Sequence, residues 1–164
     1  MPYECRAETL SFVGNAPAVF VNEADLPATP AKVFEVFADI NSWPKWFDDM
    51  RRSSWMPGSS GGLGAQRRME LGALTADETM LAWEPGKRFS FRIDAVTLPL
   101  LRAMVEDWQL TALPDGGTRL DWRVHYELKP WARIIHPILR FVFGRQFKRT
   151  VAGLQRYLSQ AGPG

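Results

Sequence analysis

Hydrophobic and polar positions alternate with a period of two through the middle of the chain, from about residue 66 to residue 128. Such alternation is typical of antiparallel strands that bury one face of a sheet. The length of a hairpin turn determines which residues face each other across the two strands. Three segments with the composition of tight turns interrupt the alternation, namely Gly72 with Ala73, Pro85 with Gly86, and Pro114 to Gly116.

The first two turns predict the pairing of three strands. Glycine at the first position suits a type II′ turn, and a two-residue turn at this point places Arg67 opposite Glu78. The second turn, taken as another two-residue turn, places Glu78 opposite Ile93 and Ala82 opposite Phe89. An ion pair therefore lies directly across two strands of the predicted sheet.

The third turn has the signature of a three-residue loop with Gly116 in the left-handed conformation. It places Trp108 opposite Trp122 and Glu106 opposite Val124. The three turns agree in collecting mainly apolar side chains on one face: Met69, Leu71, Met80, Phe89, Phe91, Ile93, Trp108, Leu110, Leu120, Trp122, Val124 and Tyr126.

The opposite face of the predicted sheet carries mostly charged side chains, and we expect it to face solvent. By the same parity His125 and Trp83 lie on this solvent face. Arg67, Glu78 and Glu106, in contrast, share the face with the apolar side chains. Charged groups on a face suited to burial indicate a lined cavity.

The flanking segments supply further elements. Residues 18–26 read as a first strand, and Thr29 with Pro30 has the pattern of a helix N-cap followed by proline at the first helical position. A second helical turn then leads to a strand near residues 51–56. The chain ends with an amphipathic helix over residues 131–158, which presents an apolar stripe to the sheet.

Three residues of the C-terminal helix are unfavourable in a helix interior, so their presence requires a structural explanation. Pro137 removes an internal hydrogen bond, so it should kink the helix or mark its true beginning. Gly144 and Gly153 each weaken a helix relative to alanine, which predicts close packing or room for a ligand at those positions.

Two connections have unusual compositions. Residues 57–64 are glycine-rich without the spacing of a phosphate-binding loop, and residues 95–102 are strongly apolar. We expect residues 57–64 to be a linker or a pocket lip, and residues 95–102 to pack inward or to cover a pocket. In a ligand-binding protein the two segments would form its gate.

Length and composition favour one globular domain. The chain has 164 residues, 46% of them hydrophobic and 23% charged, and we assign residues 17–160 to the domain and residues 1–16 to an N-terminal arm without clear periodicity. Residues 1–10 lack the apolar core of a secretory signal and no apolar run is long enough for a membrane span, so a cytoplasmic location is expected. The single Cys5 excludes an internal disulfide.

Charge is distributed unevenly. The net charge is +2, but residues 131–160 contain six basic residues and no acid. This basic helix is either a solvated face or a surface attracted to anionic lipid. Nucleic acid is not expected as a partner, because the basic residues alternate with large apolar ones and no recognised binding motif accompanies them. The sequence is compatible with a monomer or a homodimer.

The order of one strand, two short helices, six further strands and a long helix resembles the START-like (SRPBCC) superfamily, specifically its bacterial polyketide cyclase/dehydrase and lipid transport members. The resemblance covers residues 18–160. The residues that carry it are Pro30, Ala31, Lys32, Val33, Phe34, Asp39, Ser42, Trp43, Pro44, Trp46, Trp83, Glu84, Pro85, Gly86, Gly117, Thr118, Arg119 and Leu120.

The resemblance implies an α+β helix-grip fold, in which a seven-stranded antiparallel sheet wraps around the long C-terminal helix. It also implies a hydrophobic cavity between sheet and helix that holds lipids, polyketides or other apolar molecules. No metal or cofactor and no fixed catalytic motif follow from it. The predicted ligand-binding residues are Arg67, Met69, Glu78, Met80, Phe89, Phe91, Ile93, Leu98, Leu101, Trp108, Trp122, Val124, Tyr126, Leu139, Phe143 and Phe147.

Three functions agree with these features. The first is binding or carriage of a hydrophobic small molecule. The second is a polyketide cyclase or dehydratase in the same cavity, with Glu106 as the acid or base, because an arginine between two carboxylates can hold one ionised while burial raises the pKa of the other. The third is an interaction module with a filled core. Arg67, Glu78 and Glu106 can equally form a structural ion-pair network.

Overall fold

The computed structural model describes residues 2–160. Within this range the chain forms eight strands, three α-helices and two 3₁₀ helices. The strands are β1 (Tyr3–Glu4), β2 (Ala18–Leu26), β3 (Met50–Trp55), β4 (Gln66–Leu71), β5 (Leu74–Glu84), β6 (Arg88–Val96), β7 (Leu101–Ala112) and β8 (Thr118–Leu128). The α-helices are α1 (Pro30–Ala38), α2 (Trp43–Trp46) and α3 (His136–Gln160), and the 3₁₀ helices span Leu10–Gly14 and Pro130–Ile135.

The strands form one antiparallel sheet in the order β2-β8-β7-β6-β5-β4-β3, and the short β1 pairs with β6 outside that order. The sheet wraps around α3, while α1 and α2 connect β2 to β3. This arrangement confirms the predicted α+β helix-grip fold. The seven predicted strands are present, and β1 is an additional strand of two residues.

Two of the three predicted turns are confirmed. Gly72 has a φ of 53° and lies between strands in which Arg67 pairs with Glu78. Gly116 has a φ of 86°, and the strands that it connects pair Glu106 with Val124, as predicted. Positive φ at these positions favours glycine, because a Cβ would be strained there.

The prediction for the second turn was right at Glu78, which pairs with Ile93, but wrong by one residue next to the turn. Trp83 pairs with Phe89, and the register shifts between Met80 and Ala82, so that Leu81 is an extra residue in β5. A single extra residue moves the following side chains to the opposite face. The Trp83 ring consequently packs 5.6 Å from the ring of Phe34 in the core instead of facing solvent.

The N-terminal arm covers part of the convex face that was predicted to face solvent. Phe12 in the first 3₁₀ helix is buried against Ala103 and Val105 of β7. His125 of β8 pairs with Val105 of β7 and is also buried. The prediction of a surface histidine was therefore wrong. Residues before β2 show no periodicity because their packing depends on a face formed by distant strands.

The predicted start of α1 is confirmed, whereas α3 begins five residues after the predicted residue 131, which agrees with the second of the two alternatives for Pro137. The Thr29 hydroxyl accepts a hydrogen bond from the Lys32 backbone N–H at 3.4 Å, and Pro30 occupies the first position of α1. At the other end of the chain α3 begins at His136, so Pro137 lies in its first turn, where its missing N–H costs little.

α3 packs across α2 at Gly153. A Cβ at this position would lie 2.1 Å from the Trp46 carbonyl oxygen, so the close approach of the two helices requires glycine. Buried side chains of α3, including Leu154 and Leu158, extend this contact over the sheet. None of the helices within residues 2–160 combines the length and hydropathy needed to cross a membrane.

Candidate functional site

A cavity of about 300 Å³ lies between the concave face of the sheet and the first half of α3. Aliphatic and aromatic side chains from β4 to β8, α3 and the β6–β7 connection form most of its wall. Thirteen of the residues predicted from the sequence line it: Arg67, Met69, Glu78, Phe91, Ile93, Leu98, Leu101, Glu106, Trp122, Val124, Leu139, Phe143 and Phe147. Whether they bind a ligand stays a prediction.

Four other predicted residues lie on the expected face but do not reach the cavity. Phe89 and Trp108 are covered by α1 and α2, since their rings lie 5.8 and 4.9 Å from that of Phe37. Met80 is buried at the same end of the sheet. The ring of Tyr126 stacks on that of Phe20, with 5.2 Å between the ring centres. Phe20 lines the cavity in place of Tyr126.

Fourteen further lining residues were not among the predicted ligand-binding residues, although two of them, Val96 and Leu100, lie in the predicted gate of residues 95–102. Parity already placed Leu71 on the apolar face, so that residue was within reach of sequence reasoning. Trp43 and Phe47 come from α2 and the residue after it, where no periodicity shows the direction of a side chain. The full set is Phe20, Trp43, Phe47, Asp49, Met50, Leu71, Leu74, Ala76, Val96, Leu100, Met104, Leu128, Val142 and Gln146.

Only one of the two predicted gates borders the cavity. Leu98 and Leu100 of the β6–β7 connection and Leu101 at the start of β7 line it, whereas no residue of 57–64 does. That glycine-rich loop packs elsewhere, because a Cβ on Gly61 would lie 3.3 Å from the Trp83 ring. The prediction that residues 57–64 form a pocket lip was therefore wrong.

The polar end of the cavity is built around Arg67. Its Nε donates to Glu78 Oε2 over 2.6 Å, and its guanidinium lies 4.1 Å from the ring centre of Trp43 and 4.6 Å from that of Phe91. Nη1 and Nη2 are buried and have no hydrogen-bond partner within residues 2–160. Two nitrogen atoms of a buried cation thus lack an acceptor.

Glu106 lies opposite Phe91 on β7, close to this pair. Its Oε2 accepts the indole N–H groups of Trp108 at 3.0 Å and Trp122 at 2.8 Å. No group within residues 2–160 donates to its Oε1, which leaves that oxygen free on the cavity side. The two indoles hold the carboxyl in one orientation.

Burial raises the pKa of Glu106 to about 7, with a smaller contribution in the same direction from the negative charge of Glu78. The two indole hydrogen bonds and Arg67 act in the opposite direction. Burial also raises the pKa of Glu78, and its ion pair with Arg67 offsets part of that change. The structure therefore brings together the predicted cation and two carboxyls with raised pKa values, and the pKa of Glu106 lies near neutral pH.

The second histidine lies outside the cavity wall. The Tyr126 hydroxyl and His136 Nε2 form a hydrogen bond at the start of α3, which agrees with a packing role for His136. Among residues 2–160 no group of three or more His, Cys, Asp or Glu side chains has the arrangement of a metal site.

Comparisons with known proteins identify the family. The sequence model for the family described as polyketide cyclase / dehydrase and lipid transport matches residues 17–159. The uncharacterized protein Rv2574 of Mycobacterium tuberculosis is 34% identical over 156 residues, which cover 94% of this chain and 93% of that protein.

Solved structures agree at the level of the fold. The Zhui aromatase/cyclase from Streptomyces sp. R1128 superposes with a TM-score of 0.74 at 15% identity, covering 90% of this chain and 99% of that chain. A START superfamily protein from Mycobacterium smegmatis gives a TM-score of 0.71 at 10% identity, covering 88% and 99%. Identities this low support the shared fold and no shared substrate.

Proposed function

Because the chain belongs to the polyketide cyclase/dehydrase and lipid transport family, we propose that it binds a lipid or a polyketide-like molecule between the sheet and α3. The family and its fold neighbours support hydrophobic ligand binding or cyclase-type activity in general terms. The observation that carries the proposal is the cavity of about 300 Å³, which has a mainly apolar wall and holds Arg67, Glu78 and Glu106 together at one end.

The cavity wall favours a ligand with an apolar body. Small-molecule pockets in proteins span about 300 to 1,000 Å³, so this cavity suits a compound at the small end of that range. Removing apolar surface from water supplies the free energy of binding. We do not propose an interaction module with a filled core, because the aromatic side chains leave the cavity open.

The polar end favours a ligand with an oxygen-bearing group. The two free donors of Arg67 are matched to a carbonyl, enolate or carboxylate oxygen, and such a bond would satisfy buried N–H groups that otherwise lack a partner. Ligands without an oxygen at this end would leave those donors unsatisfied. We therefore infer an apolar molecule with one oxygenated end.

A polyketide cyclase or dehydratase is the second candidate, and the environment of Glu106 favours it. A carboxyl with a pKa of about 7 is present in both protonation states near neutral pH. Ionised Glu106 would take a proton from the carbon beside a carbonyl, and Arg67 would stabilise the enolate oxygen. The carbanion would then attack a second carbonyl carbon of the same molecule. Protonated Glu106 would return the proton to the resulting alkoxide oxygen.

Native mass spectrometry of the gently purified protein tests the binding proposal. We expect an added mass, and denaturing extraction should release an apolar compound with an oxygenated end. Purified protein that carries no added mass and takes up none from a lipid extract would contradict the proposal.

A cavity-filling variant assigns the bound compound to this site. Ala76 lines the cavity, and Ala76→Leu adds three carbon atoms within it, so we expect the added mass to be reduced or lost. Ala112→Leu makes the same change at an exposed strand position and should retain the ligand. Equal loss in both variants, or in neither, would place the compound elsewhere.

Glu106→Gln separates the two candidates. The amide keeps an oxygen that accepts the indole hydrogen bonds but cannot exchange the proton. The variant should retain the extracted compound if the protein is a binder. If the wild type converts the compound, the variant should lose that turnover while still binding it, and equal turnover by both proteins would remove Glu106 from the mechanism.

A further inference from the structure

Five large apolar side chains are exposed within twelve consecutive residues at the start of α3. They are between 53% and 86% exposed, and they are Trp131, Ile134, Ile138, Phe141 and Val142. Their spacing of three or four residues places them on one side of the 3₁₀ helix and of the first turns of α3. We name this surface the outer ridge. Leu139, Phe143 and Phe147 occupy the opposite side of the same helix and line the cavity.

The outer ridge differs from the other exposed apolar side chains. Elsewhere in residues 2–160 the large exposed ones are Tyr3, Val19, Val21 and Leu63, which are distributed over β1, β2 and the β3–β4 loop. Scattered apolar residues are ordinary on a protein surface, but a contiguous patch marks an interaction site. The outer ridge therefore requires a partner with an apolar layer.

The charges around the outer ridge indicate the chemistry of that partner. Arg133, Arg140 and Arg145 border the ridge and are exposed, and Lys148 and Arg149 follow on the next turn of α3. Arg149 contacts Asp48 at 3.8 Å, whereas the described part of the chain provides no carboxylate partner for Arg133, Arg145 or Lys148. No acidic residue occurs between residues 129 and 160.

We propose that the outer ridge docks on an anionic lipid bilayer. The apolar side chains would enter the boundary between headgroups and acyl chains, and the bordering arginines would contact lipid phosphates. A second copy of this chain fits less well. A twofold contact through the same surface would bring the cations of one copy against those of the other.

The ridge is continuous with the cavity. Val142 belongs to the ridge and also lines the cavity, while Leu139 and Phe143 flank it on the inner side. Docking would place this side of the cavity at the lipid surface and let an apolar ligand exchange without crossing bulk water. Ligand exchange rests on the proposed function, whereas docking itself does not.

Co-sedimentation with lipid vesicles tests the docking proposal. The wild type should bind vesicles that contain phosphatidylglycerol, bind more weakly in high salt, and bind poorly to vesicles of phosphatidylcholine alone. Replacing two ridge residues, Ile138→Ser with Phe141→Ser, should weaken binding by about tenfold or more. Replacing two bordering charges, Arg133→Gln with Arg145→Gln, should also weaken it by about tenfold or more.

Matched controls make the same changes elsewhere on the surface. Val19→Ser with Val21→Ser removes two exposed apolar side chains from β2, and Arg51→Gln with Arg52→Gln removes two exposed arginines from β3. Both should bind vesicles as the wild type does. Circular dichroism and thermal unfolding check that every variant is folded.

Several results would overturn docking. These are absence of wild-type binding to phosphatidylglycerol vesicles, equal binding to both vesicle types, and undiminished binding by the ridge variant. A dimer in sedimentation equilibrium that the ridge variant converts to a monomer, without vesicle binding, would assign the ridge to a second copy. Fluorescence of 8-anilinonaphthalene-1-sulfonate without vesicles reports the cavity separately, and its failure alongside intact vesicle binding would contradict only the proposed function.

Discussion

Arg67 and Glu78 form a buried ion pair across β4 and β5, with 2.6 Å between Nε and Oε2 and with only 0% and 7% of their side chains exposed. One residue further along, Arg68 and Asp77 make the same type of pair on the opposite face, also at 2.6 Å, but with 45% and 16% exposed. The same two strands therefore carry one buried and one solvated pair with similar geometry.

We expect Arg67→Met to destabilise the protein by about 3 to 5 kcal/mol, because it leaves the Glu78 carboxyl buried without its partner. Arg68→Met should cost less than about 1 kcal/mol, since water hydrates Asp77 when the arginine is removed. Urea unfolding at neutral pH measures both. The double variant Arg67→Met with Glu78→Leu should recover most of the lost stability. A similar loss of stability in Arg67→Met and Arg68→Met would contradict the prediction, because it would mean that water reaches Glu78 as it does Asp77.

The raised pKa of Glu106 predicts that stability falls as pH rises. The unfolded chain releases this proton near pH 4.5, but the folded protein retains it until about pH 7. The contribution is complete below pH 4.5 and is lost as pH increases through 7, up to roughly 3 kcal/mol. Unfolding measured from pH 5 to 8 should show this slope, and Glu106→Gln should reduce it. An unchanged slope in the variant would contradict the raised pKa.

The lowered pKa of His125 predicts the opposite effect, namely that stability falls as pH falls. Burial lowers its pKa below the ordinary value of 6.5, and its Nε2 has no hydrogen-bond partner within residues 2–160. The unfolded chain takes up a proton as pH falls below 6.5, whereas the folded protein resists it, so stability is lost on acidification. His125→Leu should remove this loss when unfolding is compared at pH 7.5 and pH 5.5. An equal or larger loss in the variant would refute the assignment.

Two glycines of α3 predict opposite effects of the same substitution. Gly153→Ala should destabilise the protein by about 3 kcal/mol, because the new Cβ overlaps the Trp46 carbonyl oxygen and separates α3 from α2. Gly144→Ala should stabilise it by about 0.5 to 1 kcal/mol, since no atom lies within 4 Å of a Cβ there and alanine favours the helix. Thermal unfolding of the pair distinguishes a packing contact from helix propensity, and equal shifts would disprove the contact.

Much of the sheet was predictable because its determinants are local. Turn length and alternating polarity gave the pairing of Arg67 with Glu78 and of Glu106 with Val124, and both are confirmed. The same reasoning failed at Leu81, where a bulge moved Trp83 to the core side. A bulge adds a residue without a characteristic composition at this position, so the pattern alone cannot locate it.

The candidate site was predictable only in part. The sequence placed one arginine and two carboxyls among apolar side chains, but it did not show that Trp108 and Trp122 donate to one oxygen of Glu106. Those two hydrogen bonds depend on the orientation of the two indole rings, which is set by their packing against α2 and α3. Phe89 is a second example. The sequence placed Phe89 on the correct face of the sheet, but it did not show that Phe34 of α1 covers the ring and keeps it out of the cavity.

The sequence by itself determined the strands β2 to β8, two of their three turns, the face on which each charge lies and the start of α1. These features depend on neighbours in the chain and across one hairpin. The tertiary structure alone decided which apolar residues enclose the cavity, which are covered by α1 and α2, and that the N-terminal arm covers Ala103 and Val105 on the convex face. These outcomes depend on contacts between segments far apart in the chain, where shape complementarity and burial override local pattern.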